Sequence, residues 1–344
     1  MSIFVHPVDH DAERDELLAM LQTNLPALPH ARRFEWLYQS NPDGPAWSWF
    51  ARDSGTGRVV GVASVFPRSM WVADEVKLCG QVGDFAIAAS HRTLGPALMI
   101  QKATFCPVQQ AKLSFCYDCP PHDAGMSTFR RLGLAANCVV DRYALPLRVN
   151  SKLRSRLGSD PDVLSVPANL LLRAYSRPRL SLKDIEVSEH TGRFGDEFSE
   201  LDRTVRLTDG IRSSRDAVHL NWRYRQDPLN EYRILTARRK GELVGFLVFV
   251  ETGENLTIVD LFGAASEVLT GIVGALLQEA PSHCQSVEAF LSKGSELGAA
   301  LVKARFRRRA VAAQVVAYAN PGSEMAAFLQ QKARWAFNGA EIRA

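Results

Sequence analysis

The chain has 344 residues, of which 46% are apolar and 23% charged. At about 150 residues per domain this suggests two domains of ordinary globular composition. The balance of 41 basic against 37 acidic residues leaves a formal charge of +4, too mild to mark a nucleic-acid binder and enough to exclude an acidic, solvating chain. Arginine outnumbers lysine 32 to 9; arginine is the better fork for phosphate and carboxylate, although base composition alone can produce such a surplus. No apolar run approaches the roughly 18 residues of a membrane span. The start, Met1-Ser-Ile-Phe-Val-His-Pro, has neither a basic leader nor a long apolar stretch, so no signal peptide and a cytoplasmic location are expected.

The first strong pattern is Phe34-Glu-Trp-Leu-Tyr-Gln-Ser-Asn-Pro42, which recurs as Leu220-Asn-Trp-Arg-Tyr-Arg-Gln-Asp-Pro228. Trp36 and Trp222, Tyr38 and Tyr224, Pro42 and Pro228 hold matching places, and the aromatics read more readily as core than as substrate stackers. After each copy comes a strand pair with a Gly-containing turn and Val-Gly in its second strand, at Gly61 and Gly245, the pattern of a hairpin. Each then offers a strand bearing one aspartate, Asp84 or Asp260, a helix (96–108; 266–279), a strand (111–117; 285–291), a second helix and a closing apolar strand. This order, β-β-β-α-β-α-β in both halves, predicts a tandem duplication of one α/β module. The expected divisions are 1–150, a connector over 151–184 with a short helix near 166–175, and 185–344.

Six cysteines in a chain without an export signal are expected as thiols rather than a disulfide frame. Cys116-Tyr-Asp-Cys119 lacks the second ligand pair of a zinc site and ends a strand rather than opening a helix. No metal is expected.

The sharpest local signal is Asp84-Phe-Ala-Ile-Ala-Ala-Ser-His-Arg-Thr-Leu-Gly-Pro-Ala97. A strand ends, a loop with one glycine follows, and Pro96 stands where a helix would begin, since its missing N–H is harmless there. The free N–H groups of such a helix start cradle an anion; Gly95 admits it to the backbone, Ala97 keeps the first turn clear, and Arg92 adds a charged donor. The same segment also reads as an ordinary strand-loop-helix turn. Downstream, the second half has Leu261-Phe-Gly-Ala-Ala-Ser-Glu267 at this place, with no such cradle and a carboxylate that would repel phosphate. Arg305-Phe-Arg-Arg-Arg309 reads as a solvated or anion-binding rim, and nucleic acid is not expected as a partner.

Arg92-x-x-Gly95-x-Ala97 after a strand resembles the pyrophosphate motif of the GNAT family of acyl-CoA-dependent N-acyltransferases. The whole chain resembles double-GNAT proteins, more closely over 1–150 than over 185–344. The fold implied is α/β: two modules, each a mixed, mostly antiparallel sheet flanked by helices. The resemblance implies acetyl-CoA or another acyl-CoA as cosubstrate. Its pyrophosphate would lie on Arg92, Thr93, Leu94, Gly95, Pro96 and Ala97, and its pantetheine arm along Phe85, Ile87 and Ala88. A small-molecule amine, for instance an amino sugar, would attack the thioester directly. Asp84, beside the thioester path, is the first candidate base, or else a strand-start carboxylate paired with a local arginine; Asp118 and His122 after the next strand are the others. Phe129 occupies the place of the family's frequent tyrosine acid, and packs in the core or on pantetheine. Two other outcomes remain open: transfer of a long acyl chain from CoA or acyl-carrier protein to an amino acid, and a non-catalytic binding protein.

Overall fold

The structure, a computed structural model, describes residues 2–120, 123–148, 172, 184–205, 210–331 and 334–342. The expected connector helix and His122 lie outside these residues, apart from Leu172. In chain order the first half comprises β1 (Ile3–Pro7), α1 (Arg14–Asn24), α2 (His30–Phe34), a π-helical turn (Glu35–Gln39), β2 (Trp47–Asp53), β3 (Val59–Val72), β4 (Glu75–Ile87), α3 (Leu94–Ala103), α4 (Cys106–Gln109), β5 (Cys116–Asp118), α5 (Asp123–Arg131) and β6 (Cys138–Pro146). The second comprises β7 (Glu186–Glu189), α6 (Asp196–Thr204), β8 (Gly210–Ser213), α7 (Ala217–Arg225), β9 (Arg233–Arg239), β10 (Glu242–Thr252), β11 (Asn255–Gly263), α8 (Ser266–Glu279), β12 (Ser286–Ser292), α9 (Glu296–Lys303), β13 (Arg307–Tyr318), α10 (Glu324–Gln331), β14 (Arg334–Trp335) and α11 (Gly339–Ile342).

The strands join in one mostly antiparallel sheet ordered β1-β2-β3-β4-β5-β13-β6-β12-β11-β10-β9-β7, with β8 on β3 and β14 on β8. The closing strands have crossed over. β13 lies against β5, through Val316–Asp118 to Tyr318–Cys116, while β6 lies against β12 from Val140–Ser292 to Pro146–Ser286. Each also pairs with the other at the centre. Helices cover the faces: α8 and α9 seal a core of Leu247, Leu261, Ile272 and Leu301, and α3 and α5 seal one of Val65, Val82, Ile100 and Phe129.

The Val-Gly of each hairpin has a packing reason. A Cβ on Gly245 would stand 2.7 Å from Val268 and 3.0 Å from the Phe262 carbonyl, and one on Gly61 would meet Ile87 at 2.8 Å. Strand and neighbour approach too closely for any side chain.

The matched aromatics meet each other. Trp36 and Trp222 stack with centroids 4.9 Å apart, and each indole N–H donates to the other's carbonyl, at 2.9 and 3.0 Å. Arg68 lies over the Trp222 ring and Arg223 over Trp36. Stacking adds about 0.5–1.5 kcal/mol beyond burial, and each lost donor would orphan a buried carbonyl at roughly 1–3 kcal/mol. Trp36→Phe and Trp222→Phe should each destabilise the fold by about 1–2 kcal/mol in urea unfolding. The double variant should fall short of, or exceed, the sum by more than about 0.5 kcal/mol; strict additivity would deny that the two rings act as a pair.

Candidate functional site

β4 and β5 run parallel and pair only through Gly80–Cys116 and Gln81–Tyr117. Beyond Gln81 they part, because β4 bulges. Val62 pairs with Ala86 but Ser64 with Gly83, so Ala63 faces both Asp84 and Phe85. Asp84 takes the bulge with a φ of 49°, a left-handed conformation that a non-glycine residue holds only when its surroundings enforce it. The enforcing contacts are visible: Arg33 forms an ion pair with Asp84 Oδ1, and the Tyr38 hydroxyl donates to Oδ2 at 2.5 Å. Burial and the nearby carboxylate raise Tyr38 well above its usual range, so it stays a donor.

Where the strands part, a cavity of about 740 Å³ opens, lined by Asp84, Gln81, Asp118 and Trp36 from the first half and by Arg223, Asp227 and Tyr232 from the second. Asp118 ends β5 at its wall. Burial pushes the Asp118 carboxyl up to about 7, and a hydrogen bond from the Cys119 N–H only partly opposes this. A carboxyl of that strength exchanges its proton near neutrality, as a general base must. The two aspartates thus differ in kind. Asp84 is locked by an arginine, the pairing that sequence left open, whereas Asp118 has no ion-pair partner among the described residues.

α3 opens at Leu94, two residues before Pro96, so the proline sits inside the first turn. Its ring still offends no hydrogen bond, because the first turn has none to lose. Thr93 makes no side-chain cap, which leaves the helix end open. Arg92, Thr93 and Gly95 are exposed, and a Cβ on Gly95 would meet nothing within 4 Å. Arg92 reaches back only to the Ile87 carbonyl, at 3.3 Å through Nε. Leu94 and Gly95 can offer N–H groups there and Pro96 none, while the Ala97 N–H closes the first turn on the Thr93 carbonyl. These residues fit a phosphate group. Ile87 is buried, Phe85 and Ala88 are half-buried on the core below α3, and Phe129 is buried in that core.

The second half carries a parallel set. Asp260 accepts from Arg215 at 3.0 and 3.2 Å, from Tyr224 at 3.0 Å and from Asn338 at 2.5 Å. Burial opposes the Arg215 charge, but Asp260 and Glu341 outweigh it and hold the group above its usual range. Sequence reasoning named Asp260 but missed Arg33, Arg215, Asn338 and Glu341. The last two lie in a C-terminal segment with no counterpart in the repeat.

A probable N-acyltransferase from Enterococcus faecalis V583, a conserved protein of unknown function, superposes with a TM-score of 0.67 at 12% identity, over 92% of this chain and 72% of that one. The fold is that of the GCN5-related N-acetyltransferases. Such a protein from Anabaena variabilis ATCC 29413 gives 0.65 at 12% identity over 92% and 72%, and Eis1 from Mycobacterium abscessus gives 0.58 at 12% over 92% and 74%. No protein-family model and no curated protein matches the chain. Among the described residues no group of three His, Cys, Asp or Glu could hold a metal ion, and no helix is long and apolar enough to cross a membrane. The six cysteines form no disulfide.

The Asp118 environment has a signature in stability. Its carboxyl is raised in the folded state, from an ordinary 3.8 to about 7, so between those values the folded chain holds more protons than the unfolded one and stability falls as pH rises. Asp118→Asn should therefore stabilise the fold, on the order of 1–3 kcal/mol above pH 7 and by nothing below pH 4. Urea titrations across this range check it; a pH-independent difference would refute the half-buried, unpaired carboxyl.

Proposed function

We propose that the chain is an acyl-CoA-dependent N-acyltransferase, acetyl by default, built from two tandem GNAT-like modules (1–150 and 185–344), of which the first binds the acyl-CoA. The observation that carries this is the parting of β4 from β5 between an open, glycine-bearing helix end and a carboxyl tuned near neutrality. The cosubstrate's pyrophosphate would rest on the N–H groups of Leu94 and Gly95 beside Arg92, with the small Ala97 keeping the turn clear. Its pantetheine amides would pair with the β4 main chain over 85–88, which β5 leaves unpaired. The acceptor, a primary amine on a small molecule or amino sugar, would enter the cavity from the side that the second half supplies.

In that arrangement Asp118 takes the proton from the amine as its nitrogen attacks the thioester carbonyl carbon. Collapse of the tetrahedral adduct forms the amide and expels the CoA thiolate, which takes a proton from water, since Phe129 has no hydroxyl to give. Asp84 positions rather than transfers: held by Arg33 and Tyr38, it fixes the bulge that exposes the main chain.

A thiol-release screen of amines with acetyl- and octanoyl-CoA tests the reading. Turnover should rise with pH through about 7 and fall on the order of 100-fold in Asp118→Asn, with KM for acyl-CoA unchanged. Arg92→Glu should instead raise that KM roughly tenfold or more, with folding intact by circular dichroism. Binding of acyl-CoA without turnover on any amine would favour a regulatory binder, the outcome that Phe129 suggests; no thermal shift with any acyl-CoA would end the proposal.

A further inference from the structure

The second half parts its parallel strands as the first does. β11 and β12 pair from Asn255–Ser286 to Ile258–Ala289 and then separate. The C-terminal segment enters the gap, where the Ser292 N–H donates to the Phe337 carbonyl at 2.9 Å and Gly339 lies against the Val259 carbonyl. Beside it lies a pocket of about 550 Å³, walled by Leu261, Phe262, Leu269, Leu297, Trp335 and the Arg212 side chain. It lies apart from the cavity that holds Asp84 and Asp118 and shares no wall residue with it. Its volume is within the range of small-molecule sites and its wall is mainly apolar, with a few polar groups.

Those polar groups are nearly all donors. Arg212 and Trp335 are 2% and 6% exposed, and each keeps one N–H, Nε and Nε1, without a hydrogen-bond partner. Native chains seldom leave buried donors unpaired. The rest of the Arg212 guanidinium is spent on Asp202 and on carbonyls, including Val205 at 2.7 Å. At the rim, Lys293 is exposed with no ion-pair partner among the described residues. Beside it α9 begins: Ser295 Oγ caps the Gly298 N–H, and the preceding residues Glu296 and Leu297 also line the pocket with the first N–H groups of the helix. Against these donors Glu296 is the one carboxylate among the described wall residues.

We propose that this pocket is a second ligand site, for a small apolar carboxylate. The aliphatic body would lie against Leu261, Leu269, Leu297 and Trp335. The carboxylate would be held by Lys293 and the α9 N-terminus, with the free N–H groups of Arg212 and Trp335 as the inner donors. A pyrophosphate is disfavoured there by Glu267 in the first turn of α8. The site does not depend on acyl transfer, and its test reads binding alone.

Octanoate, octanol and octylamine, titrated calorimetrically into the full chain, test it. Octanoate should bind at one site per chain, at least tenfold tighter than octanol, with octylamine silent. Lys293→Glu should weaken octanoate about tenfold and Glu296→Gln should tighten it several-fold; both residues are exposed, so folding is not at stake. Trp335→Phe, of similar shape, should weaken it while leaving octanol unchanged. Equal binding of octanoate and octanol, or indifference to Lys293→Glu, would overturn the site.

Discussion

The pairing of β6 with β13 is the constraint on which the rest depends. Each half builds its sheet outward to a strand whose inner edge would otherwise face water, β5 in one and β12 in the other. An unpaired edge is a liability that must be covered. Here each edge is covered by the closing strand of the other half, and those two strands then bond to one another. Neither half can satisfy its backbone alone, so the two must fold as one cooperative unit. Their contacts are among the longest-range in the chain, which makes closure slow to find and, once found, hard to undo.

This crossing also brings the two halves together beside the parting of β4 and β5. Because β4 bulges beyond Gln81, it leaves β5 after two paired residues while β5 stays paired with β13, and the gap becomes a cavity with walls from both halves. The stacked Trp36 and Trp222 hold those walls in register. Within the gap, two carboxylates meet different surroundings. Asp84 is held in place by an arginine and a tyrosine, while Asp118 is given a backbone N–H and no ion-pair partner among the described residues, and rises toward neutrality. Desolvation prevails wherever pairing is withheld.

Much of this was legible in the residues, because much of it is local. The repeated Trp-x-Tyr turn, the Val-Gly strands and the helix over 266–279 follow from periodicity and from close approach, and the glycine-bearing helix start at 92–97 is a contiguous word. The strand crossing was not, since pairing partners far apart in sequence leave no mark on either strand. For the same reason Asp84 could be found while its partner Arg33, on a helix fifty residues earlier, could not. The value near 7 at Asp118 belongs to what surrounds it, not to Cys-Tyr-Asp-Cys as a string. Pro96 misled by two residues because proline is tolerated throughout the first turn, so it marks a helix end without fixing it.

The two gaps then differ in a way their shared geometry does not dictate. In the first, the helix after the splayed strand starts uncapped, with Gly95 exposed and Arg92 alongside, a setting for a doubly charged phosphate group. In the second, Glu267 stands in the first turn of the equivalent helix, and the positive features have moved to the far wall, at Lys293 and the start of α9. A carboxylate carries one charge and needs one ammonium and a few N–H groups; a pyrophosphate at the α8 end would have to approach Glu267. Relocating the cations while keeping the apolar slot therefore changes the ligand class and leaves the fold untouched, because none of the moved residues takes part in the pairing of β6 with β13.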